Sequence, residues 1–266
     1  MRPSPRYDGG VSRVRTLRHV LWTLVVAGGC GRLGFDSPEL DPDTEAVAEV
    51  AASLEVTTEC GAFSLTEGSL AIRNVGADEL VIEDAEATGG FSITTVLPIS
   101  IAPGEQAALA IAAPAAVIGT DRGGDLKSGE LTLYTNEAIV ARTVALSARV
   151  VGANIEFRSS GNQPLDLTFS ASSGLCPPAR ELQVHNSGTE PVMVSASSSV
   201  GLASTFSSGM IDPNTASSGF LRATTSGPCV GTGTLTYMIT GTSCTATPVV
   251  LMSSLTITGA GNCSCS

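Results

Sequence analysis

Seven cysteines, two histidines and twenty-five carboxylates are the side chains best suited to chemistry here, and their spacing limits what that chemistry can be. His19 falls in an arginine-rich amino-terminal stretch. His185 is expected at an outward strand position beside Asn186-x-Gly188, where a surface residue is the reading rather than a catalytic base. No G-x-S-x-G elbow, H-E-x-x-H, Walker A loop or G-x-G-x-x-G occurs. Adjacent acids such as Asp78 and Glu79, or Glu83 and Asp84, are of the type used in general acid–base work, but they sit in a strongly acidic region and read as a solvated face. The acids of "DPDTE" lack the glycine turn and closing glutamate of a calcium loop. Cys263 and Cys265 have neither a second cysteine pair nor a nearby histidine, so the zinc spacing is missing. The expectation is a non-enzymatic chain with no catalytic residue, no metal, no cofactor and no evident small-molecule substrate.

The cysteines divide into one and six. Residues 1–19 carry five arginines and one acid, and the ten residues Val20 to Gly29 are uncharged and end in small side chains, as in the charged and apolar regions of a secretory signal. Ten helical residues rise about 15 Å, half of a hydrocarbon core of about 30 Å, which disfavours a permanent span. Val26-Ala27-Gly28-Gly29-Cys30 resembles the lipobox of bacterial lipoproteins, with Ala27 standing where that pattern prefers Leu. The resemblance implies a signal peptide over 1–29 and lipid attachment at Cys30, hence a membrane partner. An ordinary cleaved signal with Cys30 as an incidental thiol stays open. Gly31 rather than Asp follows the cysteine, which in that family points to the outer membrane of a Gram-negative cell; without lipid, the protein would be periplasmic or secreted. Residues 30–50, rich in acids, then read as a tether.

In an exported protein, Cys60, Cys176, Cys229, Cys244, Cys263 and Cys265 read first as disulfides and otherwise as unpaired thiols. Cys60 is alone between residues 31 and 151, so it must bond across to the other half, bond another chain, or stay buried and reduced. If Tyr237 and Val250 lie on the arms of a hairpin turning near Gly241, Cys229 is about 30 Å or more from Cys244, beyond the roughly 7 Å Cα limit for a disulfide.

Composition sets the fold class. The chain is 42% hydrophobic, 15% charged and only 4% aromatic, a mixture that supports packed cores and favours many short strands. Nineteen acids against six bases fall in 31–152, and five against three in 153–266, a balance that repels phosphate backbones and argues against nucleic acid.

A repeat organises the rest. "SLAIRNVGADELVIEDAE" at 69–86 matches "ARELQVHNSGTEPVMVSASS" at 179–198; "ISIAPGEQAALAIAA" at 99–113 matches "GMIDPNTASSGFLRAT" at 209–224; and 128–150 matches 231–258. Two modules follow, 51–151 and 152–266. Within them the alternation has period two, with Leu70 and Ile72 on one face and Leu131 and Leu133 on another, as in half-buried strands. Asn74-x-Gly76 is expected to form a hairpin turn and Pro103-Gly104 a type II turn. The prediction is all-β: two tandem immunoglobulin-like sandwiches of seven or so strands each.

The pattern Ile72-x-Asn74-x-Gly76-x-x-x-Leu80-x-Ile82, then Phe91-Ser92-Ile93, Ile101-Ala102-Pro103-Gly104 and Leu131-x-Leu133-x-x-Asn136 resembles the ASH (Hydin-like) domain, called choice-of-anchor D in bacterial surface proteins. The second module keeps Asn186-x-Gly188 and Asp212-Pro213-Asn214 but is expected to lose the Pro-Gly turn. The resemblance implies an immunoglobulin-like module for spacing or recognition, with an envelope protein as partner. Two alternatives remain open: an assembly factor resembling pilus chaperones, and a carbohydrate-binding accessory module. The latter would need aromatic platforms, and the one tryptophan, Trp22, lies in the signal.

Overall fold

The computed structural model describes residues 45–62, 65–138, 141–172, 176–224 and 230–258. The first repeat builds β1 (Ala48–Val50), β2 (Ser53–Glu59), β3 (Glu67–Asn74), β4 (Leu80–Ala87), β5 (Ser92–Ile93), β6 (Ile99–Ile101), β7 (Gln106–Ala112), β8 (Leu126–Thr135) and β9 (Ala141–Val151). One sheet runs β1-β3-β7-β5 and the other β2-β9-β8-β4-β6. The second repeat builds β10 (Ile155–Ser159), β11 (Gln163–Pro164), β12 (Thr168–Ser172), β13 (Arg180–Asn186), β14 (Val192–Val200), β15 (Leu202–Ser204), β16 (Ser208–Ile211), β17 (Thr215–Ala223), β18 (Val230–Thr240) and β19 (Val249–Thr258). Its sheets are β11-β10-β13-β17-β15 and β12-β19-β18-β14-β16. The all-β sandwich class expected from composition is the fold observed.

Alternation does the packing. Leu70, Ile72, Leu131 and Leu133 are buried as expected, within a first core drawn from residues 46–148, while a second core is drawn from 153–255. The second core centres on Tyr237, whose ring lies 5.0 Å from that of Phe157 and 6.0 Å from that of Phe206. Its hydroxyl donates to the Phe206 carbonyl at 3.2 Å and lies 2.9 Å from the Ser204 hydroxyl, so the polar tip is not orphaned.

Each sandwich holds more strands than expected because its first strand changes sheets. β1 pairs antiparallel with β3, but after Ala51 and Ala52 the chain crosses over and β2 runs parallel to β9, Ser53 opposite Ala145 through Glu59 opposite Val151. The second sandwich repeats this with β10 on β13 and β12 parallel to β19. Strands of two or three residues such as β5 and β6 are too short for alternation to reveal. β1 also lies inside the stretch expected as tether: Ala46 and Ala48 are buried in the first core, because their small side chains close its end.

Two turn expectations need correction. Asn74-x-Gly76 joins β3 to β4, which lie in different sheets, so it is a crossover and not a hairpin. The second module's Pro-Gly turn is kept in shape although its glycine is gone. In the first, Glu105 N–H donates to Ala102 C=O at 3.0 Å with Gly104 at φ 79°; in the second, Thr215 N–H donates to Asp212 C=O at 3.2 Å with Asn214 at φ 58°. Asparagine tolerates the left-handed region, so Pro213-Asn214 replaces Pro103-Gly104.

Candidate functional site: the junction between the sandwiches

The motif asparagines are internal clamps. Asn74 is fully buried; its Nδ2 donates to Asp78 C=O at 2.7 Å and Ile101 C=O at 2.9 Å, and its Oδ1 accepts from Gly76 N–H at 3.0 Å. Asn186 repeats this with Glu190 C=O at 2.7 Å, Ile211 C=O at 3.1 Å and Gly188 N–H at 2.9 Å. The glycine of each motif is required by close approach. A Cβ on Gly76 would sit 2.0 Å from Glu45 O, and one on Gly188 2.2 Å from Gly152 O. Asn136, exposed, ties β8 to the start of β4 by accepting from Val81 N–H at 2.8 Å and donating to Glu79 C=O at 3.0 Å.

The entering strand of each sandwich is held by a side chain, and here the repeats diverge. Ala48 N–H donates to Glu137 Oε1 at 2.7 Å, whereas Ile155 N–H, in the equivalent register, donates to Thr245 Oγ1 at 2.7 Å. Arg142 grips Glu137 with Nε at 2.8 Å and Nη2 at 2.7 Å, and Thr135 adds a third donor at 2.9 Å. Burial pushes the Glu137 carboxyl up, but Arg142, the Ala48 amide and Thr135 outweigh it and hold the carboxyl below the usual glutamate range.

Between β9 and β10 lie only Gly152, Ala153 and Asn154, and the two sandwiches close on them. Asn154 Oδ1 accepts from Gly123 N–H at 2.9 Å and its Nδ2 donates to Gly123 C=O at 3.2 Å, pairing like one peptide with another. Thr189 Oγ1 accepts from Gly152 N–H at 3.0 Å, and Gly119 N–H donates to Cys244 C=O at 2.7 Å. A Cβ on Gly123 would lie 1.8 Å from Gly152 O, so the loop carrying it can be only glycine there. Asp121 shapes that loop: Lys127 donates to it at 2.8 Å and Val117 N–H at 2.6 Å. The Lys127 bond, then the Val117 amide, hold the Asp121 carboxyl below the usual aspartate range.

Cys60, just past β2, and Cys244, in the β18–β19 turn, complete the junction with a disulfide, Cα to Cα 5.0 Å. Cys60, Ala116, Val150 and Cys244 form a small buried cluster of their own. Cys60 therefore bonds across the modules, one of the three outcomes open from sequence. Cys244 is not bonded to Cys229, in keeping with the reach argument. Cys176 is disulfide-bonded too. Cys30, Cys229, Cys263 and Cys265, with the signal and most of the tether, lie outside the described residues.

The remaining sequence candidates are not brought together. Asp78, Glu79, Glu83 and Asp84 are exposed. His185 is half-buried rather than on the surface, because neighbouring strands flank it through Glu156 and Ala216, and its Nδ1 is enclosed without a hydrogen-bond partner. Among the described residues no group of three or more His, Cys, Asp or Glu is placed to hold a metal ion, and no helix is long and apolar enough to cross a membrane. A cleft of about 190 Å³ beside the junction is lined by Thr120, Arg122, Asn154, Glu156 and Thr245, with Arg122 and Glu156 3.6 Å apart at its rim. Sequence reasoning missed Gly123, Gly152, Asn154 and Thr189; the one available signal was Gly152-Ala153-Asn154 at the seam of the repeat.

No family model and no curated protein sequence matches the chain. Among solved structures it is similar to the D00–D0 domain of Intimin, at 10% identity over 79% of this chain and 99% of that one, with a TM-score of 0.41. It is also similar to the CupB2 chaperone of Pseudomonas aeruginosa, at 13% identity over 79% and 100% with a TM-score of 0.30. A protein of unknown function from Porphyromonas gingivalis W83 aligns at 12% identity over 78% and 99%, also with a TM-score of 0.30.

Proposed function

We propose that this chain is a non-enzymatic, lipid-anchored envelope protein that serves as a stiff spacer or interaction arm, built from two modules of the ASH or choice-of-anchor D kind. The observation that carries the reading is the junction. A three-residue connection, the Asn154–Gly123 pairing and the Cys60–Cys244 bond join two sandwiches that each have their own core. Modules that merely needed to be near each other would be served by a flexible linker. A fixed angle between them serves a protein that holds something at a set distance or presents one surface to a partner.

The anchor is Cys30, and the outer membrane is the site. Two or three acyl chains make attachment stable where one would be marginal. The intact mass of the mature amino terminus tests this, comparing wild type with Cys30→Ser in a Gram-negative host. Wild type is expected to begin at Cys30 with acyl mass, while the variant stays uncleaved. Cleavage of both without lipid would overturn the anchor and leave a free periplasmic or secreted protein.

A further inference from the structure

The chain has five methionines, and apart from Met1 all of them lie on one sheet of the second sandwich. Met193 on β14, Met210 on β16, Met238 on β18 and Met252 on β19 face outward, 39%, 57%, 38% and 70% exposed. Among the described residues no methionine is buried in either core, where Leu, Ile, Val, Ala, Phe and Tyr237 do the filling. Methionine is an adaptable filler of irregular core gaps, so using it only outside the cores points to the sulfur and not to bulk.

Three of the four come together. Met193 and Met210 are direct partners across β14 and β16. Met238 is opposite Ser195, two residues along from Met193 on the same face. Direct partners in antiparallel strands have Cα atoms about 4.5–5.5 Å apart and diagonal ones about 7–8 Å, within reach of three-torsion side chains. Met252 pairs with Thr234, four residues from Met238 along β18, or about 13 Å away, and stands apart. Strands β14, β16, β18 and β19 contain no charged residue at all. The equivalent sheet of the first sandwich exposes Glu55, Glu86 and Glu130.

We propose that the thioethers of Met193, Met210 and Met238 form a binding site for a soft monovalent cation, Cu(I). Thioether sulfur selects Cu(I) over harder ions, and the strands that carry the three methionines offer Ser and Thr hydroxyls but no carboxylate or imidazole, the nearest acid along the chain being Asp212 just past β16, so magnesium, calcium or zinc would find no cluster of hard ligands there. The site binds the ion as supplied and involves no change of its oxidation state.

The test uses the full chain with its disulfides intact, any free thiols alkylated because they would compete as soft ligands, and methionine labelled with 13C at the ε-methyl. Silver(I), a redox-inert stand-in, is titrated first, and Cu(I) follows under anaerobic ascorbate. The ε-methyl signals of Met193, Met210 and Met238 are expected to shift together and saturate at a single equivalent while Met252 stays put. Absence of shifts, or an unsaturating drift of all four, would show independent surface thioethers and overturn the site. The M193L/M210L/M238L variant keeps the apolar volume and so the fold; it should melt like wild type and lose saturable binding. If it binds silver as wild type does, the ion is held elsewhere and the proposal fails.

Discussion

Asn74 and Asn186 each satisfy one buried carbonyl, one partly buried carbonyl and at least one amide. Removing one side chain strands all of those groups at once. Asn74→Ala or Asn186→Ala should therefore lower unfolding free energy by about 2–4 kcal/mol in urea titrations, whereas Asn136→Ala, whose bonds are exposed, should cost under about 1 kcal/mol. The asparagines were legible as a recurring motif, but their role was not: a side chain that replaces backbone partners looks in sequence just like one that shapes a turn. Glu137 makes a prediction in pH. Its carboxyl is held below the ordinary glutamate range, so the stability it supplies is complete above the unfolded value of about 4.3 and is lost as pH falls through the lower folded value. The melting temperature of Glu137→Gln should lie below that of wild type at pH 7, and the gap should narrow as both are acidified towards pH 3.

At the scale of elements, the strands were readable wherever they ran several residues with one face buried, as β3 and β8 do, because period-two alternation is the direct trace of a half-buried sheet. The change of sheet between β1 and β2 left no such trace. It depends on the crossover at Ala51–Ala52 and on close passage of the entering chain over Gly76, with Gly188 playing the same part in the second sandwich. Gly76→Ala and Gly188→Ala should consequently displace β1 and β10 and destabilise by about 2–3 kcal/mol, although neither glycine has a left-handed backbone. Hydrogen exchange localises the effect: protection should fall at Ala48 in the first variant and at Ile155 in the second, and unchanged protection there would contradict the close-approach account.

For the whole molecule, the tandem repeat was legible because buried positions recur in the same order, while the junction was hidden because its partners are 31 to 184 residues apart in sequence. Breaking it should separate two units that otherwise unfold as one. C60A/C244A combined with Gly123→Ala should convert a single transition into two and raise the radius of gyration in small-angle scattering. Loss of the bond alone should cost about 3–5 kcal/mol. The disulfide also sets where tension can travel. A pull on the chain from its amino-terminal side would pass β1 and then run along β2, whose parallel alignment with β9 loads its hydrogen bonds in shear, before crossing the sulfur bridge at Cys60 into Cys244 and β19. The 184-residue loop between them, roughly 600 Å of contour if drawn straight, is bypassed by the load. Stretched at its ends, the oxidised protein should pay out only the short lengths before Cys60 and after Cys244, so reduction would act as a release catch.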